Sequence, residues 1–126
     1  MLKPITLIIL SVFLFSCETS QRAPKSQSSQ WNLAPDLSGV TYEGGDGRSL
    51  ENLIIIKNAK NEMRGVAAEY AYISHKHGER NKDWKFQGQS TGEYKGKSID
   101  TIKIAVVQSN DTITYYFDIS EFYGKF

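Results

Sequence analysis

The chain has one cysteine, Cys17, in 126 residues. An internal disulfide is therefore excluded, and so is a zinc site built on several thiolates. An excess of one charge is missing too, with fifteen Lys and Arg against fourteen Asp and Glu. No basic surplus is present to hold a phosphate backbone, so a nucleic-acid partner is not expected, and no acidic tail is present. No apolar run is long enough to cross a membrane. The longest, Ile5 to Phe15, is eleven residues, which as a helix reaches roughly 16 Å against a hydrocarbon core of about 30 Å. Prolines number three and histidines two. What remains, with 40% apolar residues and a mean hydropathy of −0.41, is enough for one small globular domain.

That short apolar run follows Met1-Leu2-Lys3. A basic start, an apolar middle and a small residue before a cleavage point are the parts of a secretory signal. Leu14-Phe15-Ser16-Cys17 resembles the bacterial lipobox, with Leu at −3, a small residue at −1 and Cys at +1. Phe15 stands where a small or aliphatic residue is usual. The resemblance implies that residues 1–16 are removed and that Cys17 carries a diacylglycerol, with the new amine acylated as well. One acyl chain holds a protein marginally and two hold it stably. Glu18 at +2, where Asp would favour inner-membrane retention in that family, points to the outer membrane. Removing residues 1–16 removes Lys3 alone among the charges and leaves fourteen of each sign.

Residues 17–38 are rich in Ser, Gln and Pro and lack the apolar surface to offset ordering entropy. They read as the lipidated cysteine followed by a flexible tether, with Trp31 and Leu33 as its apolar exceptions. Residues 39–126 are then a single α+β domain. Glu43 to Arg48 (EGGDGR) reads as a loop. Ser49 is placed to cap a turn at Leu50–Asn52, and Leu53 to Ile56 reads as a buried strand. Asn61 to His77 is a helix whose expected core stripe is Met63, Val66, Ala67, Tyr70 and Ile73, stopped at Gly78. Three strands follow: Trp84 to Ser90, with Trp84, Phe86 and Gly88 on one face; Ser98 to Val107, with Ile102, Ile104 and Val106 inside; and Thr112 to Ile119, with Ile113, Tyr115, Phe117 and Ile119 inside. Short turns between them imply antiparallel neighbours. The expected fold is β-α-β-β-β, an antiparallel meander with the helix packed on one face. The strings GGDGRSLEN (44–52), AEY (68–70), DWK (83–85) and YFDISEFYGK (116–125) give the domain a resemblance to small, uncharacterised bacterial secreted or lipid-anchored proteins. That resemblance implies one domain and supplies no catalytic residue.

Candidate chemistry is sparse. Glu43, Asp46 and Glu51 surround the glycine loop but miss the spacing of a calcium-binding EF-hand. Leu50 stands where a dinucleotide-binding loop needs its third glycine. His75 and His77 lie two apart, about 200° around a helix, whereas a metal-binding pair wants four. Asp100 and Asp118 fall on neighbouring strands and could share a face for acid–base work, although acids beside Lys97, Lys103 or Tyr116 more often make solvated cross-strand contacts. No catalytic residue, metal or cofactor is expected. Tyr72, Tyr94, Tyr116 and Tyr123 have no assigned core role, and exposed aromatics are enriched where partners bind. The sequence thus reads as a lipid-anchored envelope protein that binds another envelope component through exposed tyrosines. The alternatives are an enzyme acting on an envelope polymer and an inhibitor or immunity-type lipoprotein.

Overall fold

A computed structural model describes residues 36–126. The signal segment 1–16, the lipidation site Cys17 and the tether up to residue 35, with Trp31 and Leu33, lie outside the described residues. Leu37 and Val40 pack against the core.

The strands are β1 Thr41–Gly44, β2 Ile54–Lys57, β3 Trp84–Tyr94, β4 Lys97–Val106 and β5 Thr112–Asp118, with one helix, α1, Glu62–His77, between β2 and β3. The fold is α+β, as expected, but two features of the expected meander are corrected. The glycine-rich segment begins as strand β1 rather than as a loop. The sheet is also mixed, in the order β1-β2-β5-β4-β3. Here β1–β2, β3–β4 and β4–β5 are antiparallel, while β2 and β5 run parallel. The physical reason lies in β2. Leu53-Ile54-Ile55-Ile56 is apolar on both faces, and a strand of that kind belongs inside a sheet rather than at its edge. The chain crosses through α1 to the far edge, then returns through β4 so that β5 lies beside β2.

Helix α1 starts where the Asn61 side chain accepts the Arg64 N–H and ends where Gly78, at φ 104°, donates its N–H to Ser74 O. Its buried residues are Gly65, Ala68, Glu69 and Ile73. The expected stripe is therefore rotated. Met63 is 74% exposed and Val66 lies at the surface. The C-terminal turn sets this rotation. Phe122 is buried against Gly65, where an added Cβ would collide with the ring. Glu62 donates its N–H to Lys125 O and accepts from the Gly124 N–H. The inner face of the sheet then presents Ile54, Ile56, Ile102, Ile104, Tyr115 and Phe117, all buried, with Tyr70 packed against them. A bulge between Phe86 and Gly88 shifts the β3 register. Beyond it the expected alternation reverses, and Gln89 and Thr91 point to the helix side.

Candidate functional site

The outer face of the sheet holds a cleft, and two turns make its walls. In the first, Asp46 Oδ1 accepts the Arg48 N–H, Gly45 N–H bonds Leu53 O at 2.9 Å, and Gly47 N–H bonds Asn52 O at 2.6 Å. Side chains cannot be accommodated here. A Cβ on Gly45 would lie 2.7 Å from Asn52, and Gly44 has φ 87° with the Leu53 carbonyl in the way. Ser49 does not cap the 3-10 turn at Leu50–Asn52 as expected; its hydroxyl accepts a hydrogen bond from the Asn52 side chain instead. The result is that Leu50 is laid across the outer face. In the second turn, Lys95 and Gly96 have φ 49° and 75°, the left-handed pair that a two-residue hairpin requires. This closes the β3–β4 hairpin and places Tyr94 and Lys97 opposite Leu50.

Between these turns lies a cleft of about 520 Å³ lined by Leu50, Leu53, Ile55, Tyr94, Lys95 and Lys97, among others. A second depression of about 220 Å³ adjoins it, lined by Ile99, Thr101 and Tyr116 among others and sharing Leu50 and Tyr94. The floor is apolar and the rim is charged. Lys97 Nζ lies 3.7 Å from Asp118 Oδ2, and Ser120 donates to the other Asp118 oxygen. Lys95 makes no ion pair among the described residues; its ammonium lies 5.2 Å from the centre of the Tyr94 ring.

The acidic pair expected on one face is separated. Asp118 is opposite Ile99 and Asp100 is opposite Phe117, so Asp118 faces the cleft side and Asp100 the helix. Asp100 is buried rather than in a solvated cross-strand contact. It accepts hydrogen bonds from Gln89 Nε2 at 2.9 Å and from the Thr91 hydroxyl, and Gln89 Oε1 in turn accepts from the Tyr70 hydroxyl at 3.0 Å. Facing it is Glu69, fully buried and with no hydrogen-bond partner for either carboxyl oxygen. Burial, reinforced by the adjacent Asp100, pushes the Glu69 carboxyl up to about 10, so Glu69 keeps its proton at neutral pH. This pair is roofed by side chains and does not line the cleft.

His77 and Tyr115 meet at 2.7 Å (Nε2 to Oη) at the other end of the helix, with Arg48 over the Tyr115 ring. Burial and then the charges of Arg48 and Lys76 lower the His77 pKa, which leaves the ring neutral near the helix terminus. His75 is exposed. Among the described residues no three His, Cys, Asp or Glu side chains gather as a metal would require, and no helix is long and apolar enough to cross a membrane.

The four tyrosines are thus divided. Tyr94 and Tyr116 share the outer-face cleft. Tyr72 faces inward, with ring centres 5.2 Å from Tyr42, 6.0 Å from Tyr115 and 5.9 Å from Phe117. Tyr123 sits on the C-terminal turn, 53% exposed. Sequence reasoning missed Leu50 and Ile55 as cleft residues and Glu69 as a buried acid. The only signal for Glu69 was its place one step from Ala68 and four from Gly65 and Ile73, an alternative stripe of the same period. Compared with protein-family models, characterised proteins and solved structures, the chain matches none of them.

Proposed function

We propose that this chain is a lipid-anchored protein of the bacterial cell envelope, tethered to the outer membrane through Cys17, that acts as a non-enzymatic binding module. The observation that carries the binding reading is the pair of adjoining outer-face depressions that share Leu50 and Tyr94, the second of them lined by Tyr116 as well. Small-molecule sites tend to be deep and largely apolar. This cleft is open, with an apolar floor of Leu50, Leu53, Ile55 and Ile99 and a charged rim, as in the surface patches that receive another protein. The fitting occupant is a segment of an envelope protein that presents an apolar side chain beside an acidic group. The apolar part would cover the floor, and the acid would meet Lys95, the rim cation without an ion-pair partner among the described residues. Asp100, Asp118, His75 and His77, the groups singled out for acid–base chemistry, are not gathered in the cleft, whose own carboxylates, Glu51 and Glu93, line separate depressions; this favours binding over an enzyme acting on a polymer.

The test is a photo-cross-linking residue placed at Tyr116, with a second at Tyr123 for comparison, in intact cells. We expect a discrete protein adduct from position 116 that is lost in a Leu50→Arg chain. Adducts of equal yield from both positions, or one indifferent to Leu50→Arg, would remove the cleft from the reading. The anchor is tested separately by mass spectrometry of the mature N-terminus. An N-terminal peptide starting at unmodified Cys17, or a chain retaining residues 1–16, would remove the lipid tether.

A further inference from the structure

The two edges of the sheet differ, and the β3 edge carries a consequence beyond the cleft. β1 is four residues long, whereas β3 is eleven. Native edge strands are usually blunted by lysine, proline, a bulge or brevity. In β3 the lysine and the bulge are confined to the first part, at Lys85 and between Phe86 and Gly88, and Glu93 is the one charge beyond them. The stretch Gly88–Tyr94 (GQSTGEY) has neither lysine nor proline, and its register against β4 is unbroken. The two-residue turn makes Tyr94 and Lys97 a hydrogen-bonded pair. Alternation from there directs the backbone groups of Gln89, Thr91 and Glu93 away from β4, to the free edge. Among the described residues no backbone partner meets them, and all three are exposed. A row of outward N–H and C=O groups at a spacing of two residues matches one kind of ligand, an extended polypeptide backbone.

We propose that the occupant is a second copy of this chain, with two β3 strands paired antiparallel about Thr91 so that the two sheets become one. This register alone pairs the whole bulge-free stretch with itself, Gly88 opposite the partner's Tyr94. It also places Gln89 opposite the partner's Glu93, an amide beside a carboxylate. Thr91 meets Thr91, a favoured cross-strand pair, and no like charges are opposed. Gly88 has open space above its Cα, so the partner's Tyr94 keeps its place in the cleft. The interface is narrow and polar, smaller than the roughly 1,600 Å² of a stable complex, and the association is accordingly reversible.

The pairing is tested by cysteine cross-linking of the full chain carrying Cys17→Ser, in mild detergent. Across a hydrogen-bonded pair the Cα atoms are about 5.5 Å apart, inside the disulfide range, so Thr91→Cys should give a reducible dimer. Glu93→Cys, displaced from its own copy by about four residues of strand, should not. Adding Glu93→Pro to the Thr91→Cys chain removes one outward N–H without touching the β4 ladder. It should weaken dimer formation at least about tenfold, whereas Glu93→Gln should leave it unchanged. Mixing Ser90→Cys with Gly92→Cys chains checks the same register without disturbing the partners of Asp100. Equal cross-linking through positions 91 and 93 would overturn the proposal. So would a Glu93→Pro chain that keeps its circular dichroism melt and cross-links as before. Leu50→Arg should leave the dimer intact, which separates this interface from the cleft.

Discussion

The two faces of one sheet use the same strands to opposite ends. Phe117 and Tyr116 are neighbours in β5, yet Phe117 is fully buried under α1 while Tyr116 stands in the cleft. Asp100 and Asp118 repeat the contrast with charge. The outer acid, Asp118, although itself buried, is paired with the Lys97 ammonium and accepts from Ser120. The inner acid, Asp100, is next to a second carboxyl and relies on neutral donors. A face closed by a helix must satisfy its polar groups internally, whereas a face left open keeps groups free for a partner. The inner face therefore records how the domain is held together, and the outer face is where the proposed partner would be met.

The largest expected effect breaks the closed face. Phe117→Ala removes a ring packed against Tyr72 and Tyr115 and should cost about 3–5 kcal/mol in urea denaturation. For a domain of this size that is a large share of total stability. A loss below about 1 kcal/mol would mean that Phe117 is not sealed under α1.

The second prediction concerns the inner acid. Glu69 titrates at about 10 in the folded chain and near its usual 4.5 when unfolded. Between those values the folded state binds one proton more than the unfolded state, so stability falls as pH rises, by about 1.4 kcal/mol per pH unit. Between pH 7 and 9 His77, with its lowered pKa, is already neutral. The slope in that window therefore reports mainly on Glu69. Urea midpoints should decline steadily from pH 7 to 9 in the parent chain, and Glu69→Gln should flatten the decline. A flat parent profile would show that Glu69 ionises at an ordinary pH and is solvated.

How much of this was legible beforehand follows the same division of faces. The period-two alternation of β4 and β5 placed Ile104 and Phe117 in the core, and the turns at Tyr94–Lys97 and Gln108–Asp111 gave the antiparallel hairpins. Those are local signals. Strand order is not local. Nothing within Leu53–Ile56 says which strand lies on each side, and β1 came from a segment whose glycines argue for a loop. The helix stripe held at Tyr70 and Ile73 but failed in its first turns, because hydrophobicity ranked Met63 and Val66 above Gly65 and Ala68. Burial on α1 is decided instead by how closely the C-terminal turn approaches, which favours the smallest residues. The cleft was half legible. Tyr94 and Tyr116 were picked out as spare aromatics, but Tyr72 and Tyr123 were indistinguishable from them until the register and the C-terminal turn were known.

Gly65 gives the third prediction. In an open helix, Gly→Ala gains up to about 1 kcal/mol. Here the backbone is an ordinary helix, but the new methyl would collide with the Phe122 ring. Gly65→Ala should therefore destabilise the domain by about 1–3 kcal/mol, and Phe122→Ala should relieve the clash. A double-mutant cycle with a coupling energy near zero would show that Phe122 does not lock α1 in this rotation.

The smallest effect on stability is expected where the functional effect is largest. Tyr116 is half-buried and lines the second depression with Leu50 and Tyr94. Tyr116→Ala should change the unfolding free energy by less than about 1 kcal/mol, as for a side chain outside the packed core. The outer face would lose one of the two rings offered to a partner. Introducing the photo-cross-linking residue at Thr101, which lines the same depression, allows the adduct to be followed with and without Tyr116. Loss of that adduct with an unchanged melting curve is the result that separates the two faces. If Tyr116→Ala instead destabilises the domain as much as Phe117→Ala does, the outer face is a second core and the cleft is packing rather than a site. If the melt and the adduct both remain unchanged, binding does not pass through this ring.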